Sequence, residues 1–252
     1  MNLKPATLLS VFFILATGLL LNSCKKDKPP VINFDYGYFP NTVGKYVIYD
    51  VDSIYCSSFD YKIDTVRYQL MEVMQSLFPD NLGRPTQRIE RYVKMYSDSI
   101  PYSSMPWTLR NVWMANLTAT DAERVENNVR YVKLIFPVVQ NNSWNGNAFN
   151  TLGSCSYSYT SIDQRTTIAD PPYTSSIFDS VLTVTQINSQ TLISDTFCLE
   201  QYAKNVGLVY KLQVAVINDT LNAGNDTQPI LQRRYTTGVL KYSLTINSHN
   251  LP

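Results

Sequence analysis

The chain has 252 residues, of which 44% are hydrophobic and 12% aromatic, and its formal net charge at pH 7 is +1. A chain this close to neutral lacks the basic excess that nucleic acid or an anionic membrane surface would require, so we expect no nucleic-acid partner. Tyr, Thr, Ser, Val and Asn are abundant whereas Glu and Ala are sparse, a balance that favours strands over long helices.

The amino-terminal stretch predicts export. Lys4 precedes an apolar run over residues 5–21. Cys24 lies three residues after this run and is followed at once by charged residues. The run is shorter than the roughly 20 residues of a membrane-spanning helix and is typical of a signal peptide. Leu21-Asn22-Ser23-Cys24 resembles the lipobox of bacterial lipoproteins. The resemblance implies a signal peptide over residues 1–23, acylation of Cys24 and a membrane anchor through that lipid.

The residues after the lipobox carry a second resemblance. Ser23-Cys24-Lys25-Lys26-Asp27 looks like the start of Bacteroidetes-type envelope lipoproteins, which implies the outer membrane. Pro29 and Pro30 favour an extended chain, so residues 24–33 are expected to form a flexible tether. Some surface-exposed lipoproteins of that group have an acidic run here. This chain has only Asp27 among lysines, so both the periplasmic face and the cell surface remain open.

Removal of the signal peptide leaves 252 − 23 = 229 residues, enough for one β domain over residues 34–252. Residues 46–51 are apolar on both faces, which predicts a strand that is covered on both sides. Residues 65–75 and 88–96 alternate in polarity and are predicted to pair as a hairpin through the turn at residues 79–83.

The middle of the chain predicts a second strand pair, over residues 107–118 and 129–136. Residues 119–124 could instead contribute one helical turn. Trp144 lies beside an Asn-Gly pair suited to a turn. It could stack on a sugar, but a Trp that covers the edge of a sheet is commoner.

The later strands are predicted around Tyr157 and Tyr159 and over the ranges 178–187, 197–203, 208–217 and 239–246. The fold class is therefore all-β, a single antiparallel domain of roughly ten strands. A curved half-barrel and a sandwich are both compatible with this spacing.

Two stretches extend the resemblance to Bacteroidetes-type envelope lipoproteins over most of the mature chain. One runs from Tyr38-Phe39-Pro40 through Gly44 to Tyr49, and the other is Tyr202-Ala203-Lys204-Asn205-Val206-Gly207-Leu208-Val209-Tyr210. Their motifs are structural, so the resemblance implies a strongly curved, partly open antiparallel sheet and no active site.

Few residues offer catalytic chemistry. The single histidine, His249, is expected in a mobile tail, which disfavours histidine-dependent triads and metal sites, and we expect no metal and no cofactor. Two acids would suffice for glycoside hydrolysis. However, the five glutamates are expected mostly at solvent-facing strand positions or in turns: Glu72, Glu90, Glu123, Glu126 and Glu200.

Three cysteines follow Cys24, namely Cys56, Cys155 and Cys198. In an oxidising compartment they could form one disulfide with a thiol left over, or remain three isolated thiols, and their spacing does not decide between these.

A triplet of Asp, Ser or Thr, and an aliphatic residue occurs five times, where composition predicts about one. It resembles the O-glycosylation acceptor of Bacteroidetes-type exported proteins, although Asp-Ser/Thr also begins strands after turns. The acceptor residues would be Ser53, Thr65, Ser99, Ser180 and Thr220.

These observations predict a non-enzymatic, lipid-anchored envelope protein with a binding or assembly role. Its partners would be the membrane, through the lipid on Cys24, and an envelope protein or glycan. A glycan- or lipid-binding module with an aromatic groove and a carboxylate-dependent glycoside hydrolase are the alternatives.

Overall fold

A computed structural model describes residues 34–218, 228–233 and 236–250, and these ranges are all-β, with three short 3-10 turns and no α-helix. The predicted fold class is confirmed, with twelve strands instead of about ten. Residues 119–124 do not form a helical turn, because most of them belong to strand β5. The strands are β1 Tyr46–Cys56, β2 Ile63–Pro79, β3 Pro85–Met95, β4 Thr108–Leu117, β5 Asp121–Glu126, β6 Val129–Ile135, β7 Ser143–Asn145, β8 Ser156–Ile168, β9 Ser176–Gln190, β10 Ser194–Ala203, β11 Gly207–Asn218 and β12 Thr236–His249.

All twelve strands form one antiparallel sheet in the order β6-β5-β4-β3-β2-β1-β12-β11-β10-β9-β8-β7. Consecutive strands are neighbours in the sheet except β6 and β7, which form its two edges. The first and last strands, β1 and β12, also pair with each other. The sheet curves until it is nearly closed into a barrel. This geometry answers the choice between a curved single sheet and a sandwich in favour of the former.

The two edges of the sheet meet along a seam made largely of side chains. The amide of Val132 donates to the carbonyl of Gly146 at 2.9 Å, and the Trp144 indole donates to the carbonyl of Val132 at 2.9 Å. The Tyr159 hydroxyl bonds both the amide and the carbonyl of Ile135, at 2.8 and 2.6 Å. Unpaired backbone groups of an edge strand are thereby satisfied. Trp144 thus covers a sheet edge.

The inner face of the sheet encloses the apolar core. Because side chains alternate along a strand, Val47, Tyr49 and Val51 of β1 share this face. All three are buried, as are Leu70 of β2 and Ile246 of β12, which lie opposite Tyr49 in the register. This part of the sheet follows the predicted alternation.

The outer face of β1 is buried by polar contacts. Asp52 accepts hydrogen bonds from the Tyr173 hydroxyl at 2.6 Å and from Arg67 at 3.1 Å. Asp170, in the loop that joins β8 to β9, pairs with Lys241 at 2.7 Å and accepts from Ser243 at 2.7 Å. The prediction that β1 is covered on both faces is confirmed, and the second cover is a hydrogen-bonded loop.

Candidate functional site

Seven charged side chains form a continuous chain on the inner face of the sheet, which we call the ion chain. Anions and cations alternate along it, and its members lie on six strands, β2, β3, β5, β6, β10 and β11. The members in order are Arg91, Glu72, Arg124, Glu126, Lys133, Glu200 and Lys211.

The first part of the ion chain is centred on Glu72. Arg91 lies opposite Glu72 in the register of β2 and β3 and donates to it at 2.9 Å. Arg124 donates to both carboxylate oxygens at 2.9 Å. The Trp113 ring covers the Arg91 guanidinium at 3.4 Å and the Arg124 guanidinium at 5.0 Å, both within cation–π range. This end of the chain is closed by an aromatic wall.

The second part is centred on Glu200. One of its oxygens receives both Lys133, at 2.9 Å, and Lys211, at 3.2 Å, while the other accepts the Tyr202 hydroxyl at 2.6 Å. Lys133 also contacts Glu126 at 3.0 Å, which links the two parts through the 3.7 Å contact of Arg124 with Glu126. Lys211 has a single anionic partner, and it shares that partner with Lys133.

The buried carboxyls of the ion chain are held ionised. Burial opposes ionisation of Glu72, but Arg124 and Arg91 overcome it and lower its pKa. Burial likewise opposes ionisation of Glu126 and Glu200, and Lys133 and Lys211 lower the pKa of both. Lys133 and Lys211 keep raised pKa values because these carboxylates outweigh their own burial. The three glutamates and two lysines therefore carry charge at neutral pH, and an arginine side chain is always protonated in proteins.

The charges of the ion chain do not balance. Four cations meet three anions, so the chain carries a net charge of +1 on side chains whose exposure ranges from 2% to 17%. The buried Tyr202 hydroxyl remains neutral because burial and Glu200 raise its pKa well above the usual range. An excess of charge in a largely buried cluster is costly, so the imbalance is a functional clue.

A cavity of about 320 Å³ opens beside the ion chain, and we call it the lysine cavity. It lies between the loop that joins β7 to β8 and the inner faces of β10 and β11. Residues that line it include Lys133, Lys211 and the carboxylate Glu126 of the ion chain, together with Gln186 and Cys198. The Nε2 atom of Gln186 is buried and has no hydrogen-bond partner. The volume lies at the lower end of the range for small-molecule sites, about 300–1,000 Å³.

A second depression lies on the outer face and differs in its charge. Its volume is about 500 Å³, and its lining includes Leu82 and Phe149 with the Arg84, Glu123 and Arg130 side chains. Arg84 contacts Glu123 at 2.8 Å and Asp80 at 2.9 Å, and Glu123 also pairs with Arg130. Two cations and two anions balance there. We therefore regard the lysine cavity as the stronger candidate.

The expectation that the glutamates face solvent is wrong for the ion chain. Glu72 and Glu200 of the ion chain are buried, with relative exposures of 4% and 1%, and Glu123 of the outer depression is buried as well, at 1%. The sequence signal for this burial is the alternation of side chains between the two faces of a strand. Glu72 follows Leu70 by two residues, and Glu200 stands between Cys198 and Tyr202, so each belongs to the apolar face of its strand. Opposite-charge partners on neighbouring strands make these buried positions possible.

His249 differs from the expectation of a mobile tail, and the state of the three cysteines, which the sequence left open, is resolved. His249 is the last residue of β12, lies opposite Val47 in the register and packs near the Phe178 ring at 6.5 Å, so it is not in a mobile tail. The three cysteines in the described ranges are free thiols. Burial raises the pKa of the Cys198 thiol to about 11 and also raises that of Cys155, so neither is an activated nucleophile.

The triplet residues occupy different environments. Thr65 and Ser99 are exposed, whereas Ser53 and Ser180 are half-buried within strands. The Ser180 hydroxyl is already hydrogen-bonded to Asp163 and, at 2.8 Å, to the Tyr38 hydroxyl. Thr220 and Cys24 lie outside the described residues, as do the whole of the predicted signal peptide and tether.

The two stretches that carry the lipoprotein resemblance contact each other. The Tyr49 hydroxyl donates to the Leu208 carbonyl at 2.9 Å, and the Asn205 amide donates at 2.7 Å to the carbonyl of Gly37, the residue before the first stretch. Gly207 has a positive φ of 91° and lies against Pro40, whose Cδ atom would be 3.3 Å from an added Cβ. The motifs therefore build one corner of the fold and leave the lysine cavity to other residues.

Comparison with known proteins adds little to this geometry. No protein-family model matches the chain, and no curated protein sequence matches it. One solved structure is similar, that of a Bacteroides fragilis protein described as exported and as having a YmcC-like fold. It is 12% identical, the alignment covers 83% of this chain and 98% of that one, and the TM-score is 0.37. Among the described residues, no helix is long and apolar enough to cross a bilayer.

Proposed function

We propose that this chain is a lipid-anchored protein of the outer membrane that binds a small molecule in the lysine cavity and does not transform it. The observation that carries the binding role is the cavity itself, where buried Lys133, half-buried Lys211 and the unpartnered Gln186 amide line one opening of about 320 Å³. A few polar groups converging in an otherwise closed interior are characteristic of ligand sites.

The protonation states in the ion chain support a binding role over hydrolysis. A glycoside hydrolase needs one carboxylic acid with a raised pKa to protonate the leaving group. Burial pushes the pKa of Glu72, Glu126 and Glu200 in that direction, yet their cationic partners lower it in all three. These carboxylates therefore serve as partners for cations, and we expect no Glu→Gln change to remove a catalytic step.

The anchor rests on the lipobox resemblance at Cys24. Acylation needs the thiol, so Cys24→Ala should abolish incorporation of an alkyne fatty acid in growing cells. Cys198→Ala is the matched control, because it removes a thiol that is buried in the fold, and it should keep the label. Equal labelling of both variants would exclude acylation of Cys24.

The binding role is tested on protein extracted in mild detergent from its own membranes. Native mass spectrometry should show a bound molecule that is released on denaturation. Thr196 lines the lysine cavity, so Thr196→Trp should fill it and remove the extra mass. Asn188→Trp is the control, since Asn188 is exposed and lies opposite Phe197, on the other face of the sheet. A wild-type protein without a bound molecule, or one retained equally by both variants, would contradict the proposal.

A further inference from the structure

The ligand class follows from the charge of the ion chain, and this inference rests on the proposed binding function. We infer that the lysine cavity takes a small amphipathic monoanion, with a carboxylate as its charged group, and that this carboxylate contacts Lys211 and the Gln186 amide.

The excess positive charge of the ion chain lies at one of its ends. Of the four cations, Arg91 and Arg124 share Glu72, and Arg124 and Lys133 also reach Glu126. Lys211 makes a direct ion pair with Glu200 alone, and the contact of Glu200 with Lys133 is the shorter, at 2.9 Å against 3.2 Å. The uncompensated charge therefore lies at the Lys211 end of the chain. That end lines the cavity.

Gln186, which lines the same cavity, has a buried donor without a hydrogen-bond partner. Gln186 is buried, with 5% exposure, and its carbonyl oxygen accepts the Cys198 thiol at 2.9 Å. This contact leaves the amide Nε2 as a donor without a protein partner. A buried donor that stays unsatisfied is costly, and an anion in the cavity would satisfy it together with the lysine.

The rest of the lining of the lysine cavity includes apolar and aromatic side chains. Leu152 and Ile187 contribute apolar surface, and Tyr131 and Tyr157 contribute aromatic rings. An inorganic anion would leave this surface in contact with water, whereas a short alkyl or aryl carboxylate would cover it. One negative charge suffices, since the ion chain carries an excess of one.

The inference is tested by titration calorimetry at pH 7 with hexanoate and with hexanamide, which has nearly the same shape and no charge. We expect hexanoate to bind at least tenfold more tightly than hexanamide. Lys211→Met, which leaves three cations and three anions, should weaken hexanoate binding at least tenfold. Glu126→Gln, which increases the excess to two, should strengthen it. Opposite shifts in the two variants are a readout that a purely structural ion chain would not give.

Two controls keep the test decisive. Lys241→Met removes a lysine that pairs with Asp52 and Asp170 on the outer face, so it should leave hexanoate affinity unchanged. If Lys211→Met does not fold, Gln186→Leu replaces it, because that change removes the unpartnered donor and should weaken hexanoate binding without loss of stability. Equal affinity for the two probes, or no binding of either, would overturn the inference. In either case the native mass measurement independently decides whether the cavity holds any ligand.

Discussion

Glu200→Gln is the sharpest test of the ion chain, because one oxygen of buried Glu200 pairs with both Lys133 and Lys211. The change keeps the size of the side chain and removes one charge, so the excess rises from +1 to +2. Removing one partner from a buried ion pair typically costs about 3–5 kcal/mol. For a domain of this size each kcal/mol lowers Tm by about 2–4 °C, so we expect a decrease of roughly 6–20 °C.

The assay is thermal and urea unfolding followed by circular dichroism, with Glu90→Gln as the matched control. Glu90 contacts Arg88 at 3.2 Å and accepts the Tyr92 hydroxyl at the surface, so its replacement should cost less than about 1 kcal/mol. The double variant Glu200→Gln/Lys211→Met restores the excess to +1 and should recover part of the lost stability. A Glu200→Gln protein within about 1 kcal/mol of wild type would refute the reasoning, since that is the scale of a surface pair.

Three further predictions follow from the same contacts. The pKa values of Glu72, Glu126 and Glu200 are lowered in the folded state, so their stabilisation is fully present above the unfolded value of about 4.3 and is lost as pH falls through the folded values. Urea midpoints should therefore fall below about pH 4, and a midpoint that rises there would contradict this. Gly207→Ala should cost about 1–3 kcal/mol from its positive φ, and more than Gly83→Ala, because Gly83 has a positive φ and no neighbour within 4 Å; equal costs in urea unfolding would remove the role of Pro40. If the triplets are glycosylated, Thr65→Ala and Ser99→Ala, at exposed acceptors, should each lower the intact mass by one glycan, while unchanged masses would exclude these two sites.

Local alternation predicted most of the fold because strands with one apolar face carry that signal in the sequence. The hairpin of β2 and β3 through the turn at residues 79–83 is one example. The closure of the sheet was not accessible in this way. The seam depends on Trp144 and Tyr159 reaching backbone groups of β6, and a contact between strands at opposite ends of the sheet leaves no periodic pattern.

The ion chain was missed for a different reason. A charged residue in an alternating strand normally faces solvent. It is buried only where an opposite charge offsets the cost of its desolvation. Glu200 is separated from Lys133 by 67 positions in sequence. The parity of Glu72 and Glu200 with apolar neighbours was visible, but the partners that stabilise them are supplied by the barrel.

The central claim is that the lysine cavity binds a small anionic molecule, and the most direct measurement is a high-resolution crystal structure of the protein purified from its own cells. We expect electron density for a non-protein molecule within hydrogen-bond distance of the Lys211 ammonium and the Gln186 amide. A lysine cavity that contains only ordered water would contradict the claim that it binds a small anionic molecule.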